Sequence, residues 1–137
     1  MIVFDTMVLS ELMRPSPSER VRSWVNEQTP SSIFTTAITV AEILYGVERL
    51  PDGKRKQDFT VAATELFTVF SDSVVPFDDR ASRSYVTIAS RSGKLGFPID
   101  GFDAQIAAIC AVHNAMLATR NTKAFEHLGI SLINPWN

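Results

Sequence analysis

The chain has 137 residues, 45% of them hydrophobic and 20% charged, the balance of an ordinary globular domain rather than a disordered or fibrous one. A chain of this length closes one core without help, and its single cysteine, Cys110, excludes an internal disulfide framework and any multi-cysteine zinc site. Thirteen Lys and Arg against fifteen Asp and Glu leave a formal charge of −2. That argues against coating nucleic acid by bulk charge, but not against an enzyme that neutralises its own carboxylates with a metal.

Ile2-Val3-Phe4 is short, β-branched or aromatic, and ends at Asp5, which reads as a buried strand. No basic-then-apolar stretch precedes it, so no signal peptide is expected and a cytoplasmic location is the default. Thr6 to Met13 has a helical pattern that Arg14-Pro15 halts. Ser16-Pro17-Ser18-Glu19 then reads as a helix start, with Ser16 as N-cap and Glu19 closing a capping box. That helix places Val21, Trp24 and Val25 on one face. Ser32 to Ala37 reads as a second strand, followed by a helix over about Thr39–Leu50. Pro51-Asp52-Gly53 turns the chain into a long helix over Lys54–Phe70.

Val74, Val75 and Phe77 suggest a third strand. A helix over Asp78–Ser92, a glycine-rich loop over Gly93–Pro98 and an apolar helix over Asp100–Asn114 follow. The longest unbroken apolar run, Ile106 to Val112, is far too short to cross a bilayer. Met116–Thr119 is a fourth strand and Ile130–Ile133 a fifth, with a short helix or loop over Thr122–Leu128 between them. Strands separated by helices predict one α/β domain over residues 1–137 with a mainly parallel sheet. In such sheets ligands bind outside the carboxyl ends of the strands.

Three acids fall near that edge: Asp5 after the first strand, Glu42 in the helix after the second, and Asp103 near the start of the apolar helix. Converging carboxylates repel one another, and a divalent cation is the usual remedy. Oxygen ligands without sulfur or paired imidazoles favour Mg2+ or Mn2+ over zinc, which suits metal-assisted phosphodiester hydrolysis. Each acid also has a purely structural reading. Thr39-x-x-Glu42 fits a capping box, and Asp100-x-x-Asp103 does so loosely, with Asp100 as N-cap. Asp5 has a cap to make only if Thr6 onward is helical.

Several ordered motifs together resemble the PIN-domain family, specifically the VapC-like and FitB-like toxins of bacterial type II toxin–antitoxin modules. They are Phe4-Asp5-Thr6-x-Val8-Leu9-Ser10-Glu11, Ala37-Ile38-Thr39-Val40-Ala41-Glu42, Gly46-Val47-Glu48-Arg49-Leu50, Asp103-Ala104-Gln105-Ile106-Ala107-Ala108, Thr119-Arg120-Asn121 and Asn134-Pro135-Trp136. The resemblance spans nearly the whole chain. It implies an α/β/α sandwich of about five strands, a Mg2+-dependent ribonuclease acting on RNA, a homodimer, and a cognate antitoxin that plugs the site and carries any contact with DNA. Asp5, Glu42 and Asp103 match the family's three core acids and metal ligands. Asn121 matches a fourth position that is asparagine or an acid, and Thr6 and Thr119 are implied to support the acids with hydroxyls.

Three departures stand out. Met7 replaces an asparagine of the family's opening motif, and a thioether cannot donate the hydrogen bonds of an amide. Asn121 adds no charge, and Ala124 stands where an aspartate often precedes phenylalanine. These departures motivate a rival reading, a weakly catalytic regulator that acts by binding an antitoxin in a DNA-bound complex. An aspartyl-phosphate phosphatase is a third reading, against which Met7 stands where a second aspartate would be needed.

Of the remaining residues, Arg120 and Lys123 flank Asn121 and are placed to touch phosphate. Lys54-Arg55-Lys56 reads as a solvated helix start, and Arg80, Arg83 and Arg91 share one long helix. Cys110 reads as a buried structural thiol. His113 and His127 lack partners at metal-ligand spacing, and Trp24, Phe125 and Trp136 read as packing. No nucleophile elbow, P-loop or dinucleotide fingerprint is present.

Overall fold

A computed structural model describes residues 1–137. Five short strands, β1 (Ile2–Phe4), β2 (Ile33–Thr36), β3 (Val74–Val75), β4 (Met116–Ala118) and β5 (Ser131–Ile133), form one sheet in the order β3-β2-β1-β4-β5. Every pairing is parallel. Seven α-helices connect them: α1 (Thr6–Leu12), α2 (Glu19–Glu27), α3 (Ala37–Glu48), α4 (Lys54–Val69), α5 (Asp79–Lys94), α6 (Gly101–His113) and α7 (Thr122–Phe125).

Side chains alternate along each strand, so each strand feeds two cores. Val3 and Leu117 enter a cluster with Ile88 of α5, Ile106 and Cys110 of α6 and Phe125 of α7. Phe4 and Ala118 point the other way, into a cluster with Val8 and Leu9 of α1, Ile43 of α3 and Ala63 of α4. The two clusters make the α/β/α sandwich, and strands buried on both faces explain why the sequence shows apolar runs rather than alternation. Trp24 and Phe125 pack as read: Trp24 lies 5.6 Å from the Phe4 ring, and Phe125 is fully buried.

Several boundaries differ from the sequence reading. The cap of α2 is Ser18, not Ser16, and its hydroxyl accepts from Val21 N. The buried Glu11 carboxylate accepts the Ser18 backbone N–H at 3.0 Å and pairs with Arg14 at 3.3 Å, which pins where the helix begins. The cap of α3 is Thr36, not Thr39. Glu42 is therefore not the closing member of a capping box but a residue of the second turn, free for other work. Phe77 lies outside β3, edge-on to Tyr85 at 6.3 Å. Helix α5 runs through Gly93 to Lys94, so the loop is shorter than expected.

Candidate active site

Strand β1 is flanked by β2 on one side and β4 on the other, so the chain reverses its direction of strand addition beside β1. Such a switch point opens a crevice at the carboxyl ends of the strands. Asp5 stands there, on the residue after β1. Its backbone N–H bonds Ala118 O at 3.0 Å, so it extends the β1–β4 ladder by one step. It also caps α1, its Oδ1 accepting Thr6 N at 2.8 Å, which realises the one capping role the sequence allowed it. The Thr119 hydroxyl, at the end of β4, donates to Asp5 Oδ2 at 2.8 Å. Asp5 is 5% exposed. Burial pushes its carboxyl above the ordinary carboxylate value, and the bonds from Thr119 and Thr6 pull it partly back.

Glu42 reaches the same edge from α3. Its Oε1 accepts the Thr6 hydroxyl at 2.9 Å. The Thr6 and Thr39 hydroxyls lie 3.2 Å apart, and Thr36 donates to Thr39 at 3.4 Å. Burial raises the Glu42 carboxyl, the Thr6 bond lowers it, and the charges of Asp5 and Asp100 raise it again.

Asp103 sits in the first turn of α6. Asp100 is the N-cap, as one sequence reading had it, and its Oδ1 accepts Phe102 N at 2.9 Å and Asp103 N at 3.4 Å. Burial, followed by the charges of Asp5, Asp100 and Glu42, lifts the Asp103 carboxyl to about 6. The four acids thus share one electrostatic neighbourhood, and none of them takes part in an ion pair. No three of these side chains stand in a closed ligand set; hydroxyls and a backbone amide hold Asp5 and Glu42. The donor set fits a hard divalent cation: it is all oxygen and negatively charged when ionised, and burial first, then for Glu42 and Asp103 the neighbouring carboxylates, opposes that ionisation, a penalty that a bound cation offsets.

The remaining candidates divide. Asn121 stands immediately before α7, its backbone N–H on the Thr119 hydroxyl at 3.1 Å, while its exposed carboxamide makes no cap. Arg120 stacks on Trp136 at 5.0 Å, so the indole holds a cation beside Asn121 rather than serving only as packing. Met7 is 43% exposed, and Ala124 packs against the larger core cluster. Within Lys54-Arg55-Lys56, the outer two residues make exposed pairs with Asp58 and with Asp52 and Glu48. Arg55 is exposed, as the solvated reading had it, and also borders a cavity of about 210 Å³ that Thr6 and Glu42 line. Arg83 pairs with Asp79 on α5 at 2.9 Å.

Cys110 is fully buried, and burial followed by the Asp5 charge pushes its thiol up to about 12. His113 is exposed at the end of α6, and His127 stacks on Phe97 at 4.0 Å. Sequence reasoning missed the roles of Thr36 and Thr39. The available signal was the Thr35-Thr36 pair closing an apolar strand, since two buried hydroxyls need partners.

The site thus combines a strand-end aspartate at the switch point, an acid on each of two helices beside it and threonine hydroxyls that hold them. The PIN domain model matches residues 2–130. The VapC ribonuclease Y4jK of Sinorhizobium fredii is 39% identical over 99% of this chain and 98% of its own length. Toxin FitB of Neisseria gonorrhoeae is 35% identical over 100% of this chain and 99% of its own. A solved structure of FitAB bound to an IR36 DNA fragment superposes with a TM-score of 0.92 at 35% identity, covering 100% of this chain and 96% of that one. With its fold matched to that depth and its sequence matched almost end to end, the chain belongs to the PIN-domain family.

Proposed function

We propose that this chain is the toxin of a type II toxin–antitoxin pair: an endoribonuclease that hydrolyses RNA phosphodiester bonds with a divalent cation held by Asp5, Glu42 and Asp103. The observation that carries the reading is the gathering of these acids and Asp100 at the β1–β4 switch point without one basic partner. The ribonuclease and toxin names of full-length relatives supply the substrate class.

Mg2+ is the expected cation, with Mn2+ able to substitute. When bound, it supplies an activated water and offsets charge on the phosphodiester. The chain's own part is orientation. Thr6 N and Thr119 Oγ1 occupy one side of each Asp5 oxygen, and Thr6 Oγ1 holds Glu42. The Asn121 carboxamide, free of cap bonds, is assigned to orienting the attacking water. Arg55 and Arg120 are the cations best placed to meet the RNA backbone.

Partners follow the same reading. A cognate antitoxin covers the site and carries the pair onto DNA, as the DNA-bound FitAB complex supports. The exposed Leu44 and Tyr45 of α3 support self-association into a dimer. No helix is long and apolar enough to cross a membrane; a cytoplasmic site of action is part of the same proposal, resting on RNA as the substrate.

The test is cleavage of a mixed RNA pool by purified, antitoxin-free protein with Mg2+ or Mn2+, with chelator and Asp5→Asn as controls. Cutting that stops with chelator and falls at least ~100-fold in folded Asp5→Asn is expected, as removal of several kcal/mol of transition-state stabilisation requires. Folded protein that cuts no RNA with any divalent cation overturns the reading in favour of a non-catalytic regulator.

A further inference from the structure

We propose that Thr39 is a positioning residue for Glu42, acting through Thr6 in a three-hydroxyl relay whose direction Thr36 sets. The inference rests on the reading above that Glu42 serves a divalent cation. Thr36 and Thr39 are fully buried, at 0% exposure, and no buried side-chain polar atom of the chain lacks a partner. A hydroxyl has one hydrogen to give and lone pairs to receive with, whereas a carboxylate only receives. The Thr6 hydrogen therefore goes to Glu42 Oε1, 2.9 Å away.

At the far end, Thr36 Oγ1 already accepts Thr39 N at 3.1 Å as the cap of α3, and its own hydrogen faces Thr39 Oγ1 at 3.4 Å. The Thr39 hydrogen is left with one acceptor, the Thr6 oxygen at 3.2 Å. Each hydroxyl so oriented polarises the next, and the relay ends on the carboxylate. Asp5 has a shorter version of the same device. Asn121 N donates to Thr119 Oγ1 at 3.1 Å, which turns the Thr119 hydrogen toward Asp5 Oδ2. Thr39 lies one helical turn before Glu42 on α3, so the two share a face and the helix itself sets their spacing.

The test compares Thr39→Val and Thr39→Ala, which remove the hydroxyl, with Thr39→Ser, which keeps it. Mn2+ affinity is read from electron paramagnetic resonance of the free ion, with thermal unfolding in chelator reporting the fold. Partners behind metal ligands typically contribute 10- to 100-fold in affinity. The valine variant is expected to bind Mn2+ about tenfold more weakly and the serine variant within about threefold of the parent. The alanine variant carries the comparison if valine does not fold. If valine and alanine bind Mn2+ as tightly as serine, or if serine is weakened equally, the relay is overturned. If the parent chain itself binds no Mn2+, the cation reading fails instead.

Discussion

Replacing Asp103 with asparagine should stabilise the cation-free protein at neutral pH and at the same time remove its response to Mg2+. In the folded chain the Asp103 carboxyl titrates near 6, against an ordinary value of 3.8, because burial and the charges of Asp5, Asp100 and Glu42 oppose ionisation. No hydrogen bond to its carboxylate offsets them. Between those two pH values the folded state holds a proton that the unfolded chain has released. Stability therefore falls as pH rises from about 4 to about 6 and is level above.

The full rise corresponds to at most ~3 kcal/mol. Asp103 is only half-buried, so solvent screening brings the expected penalty to ~1 kcal/mol. For a domain of this size that is a rise of roughly 3–4 °C in Tm. Thermal unfolding in chelator should show Asp103→Asn above the parent by that amount at pH 7.5 and level with it near pH 4. Free Mg2+ at ten times its Kd should then raise the parent by about 1.4 kcal/mol and the variant by much less. A variant no more stable than its parent at pH 7.5, or stabilised equally by Mg2+, refutes the claim that Asp103 is held in a repulsive cluster awaiting a cation.

Other substitutions separate structure from chemistry. Glu11 belongs to the family's opening motif but is buried as a clamp on Arg14 and the start of α2. Glu11→Ala should cost ~1–3 kcal/mol by leaving the Ser18 N–H unpaired, with RNA cleavage per folded molecule unchanged, as denaturant titration alongside activity would show. Cys110, with its thiol at about 12 and no exposure, should resist a thiol reagent at pH 8 until the chain is unfolded. Phe4 packs between Trp24 at 5.6 Å and Phe70 at 6.2 Å directly beneath Asp5. Phe4→Ala should cost ~3–5 kcal/mol in denaturant unfolding.

The order of elements was legible because apolar runs, turn residues and helical periods each have a local cause. The caps were legible only in kind. Ser16 and Ser18 both satisfy the local pattern, and the choice falls to Glu11, which takes the Ser18 N–H from another helix. Thr36 and Thr39 compete in the same way. Here the sheet decides: Thr35 donates to Phe4 O across the strands and Thr36 pairs with Val75, so the strand persists to Thr36 and the helix begins behind it. That three-residue difference matters chemically, because it frees Glu42 from capping and turns Thr39 from a cap into a buried link.

The acids of the site were visible as residues at strand and helix ends, but what holds them was not. Thr6 meets Glu42 across 36 positions, and Thr119 meets Asp5 across 114. No local pattern encodes pairs that far apart. The choice of hydroxyls as partners also carries meaning. A lysine or arginine beside Asp5 or Glu42 would orient the carboxylate equally well, but it would neutralise the charge that draws a cation and lower the pKa. Threonine orients without neutralising. A carboxylate cluster in which every fixed partner is a hydroxyl or a backbone N–H is built to stay short of positive charge, and its stability should therefore rise when a divalent cation is offered and not when the monovalent salt concentration is matched in its absence.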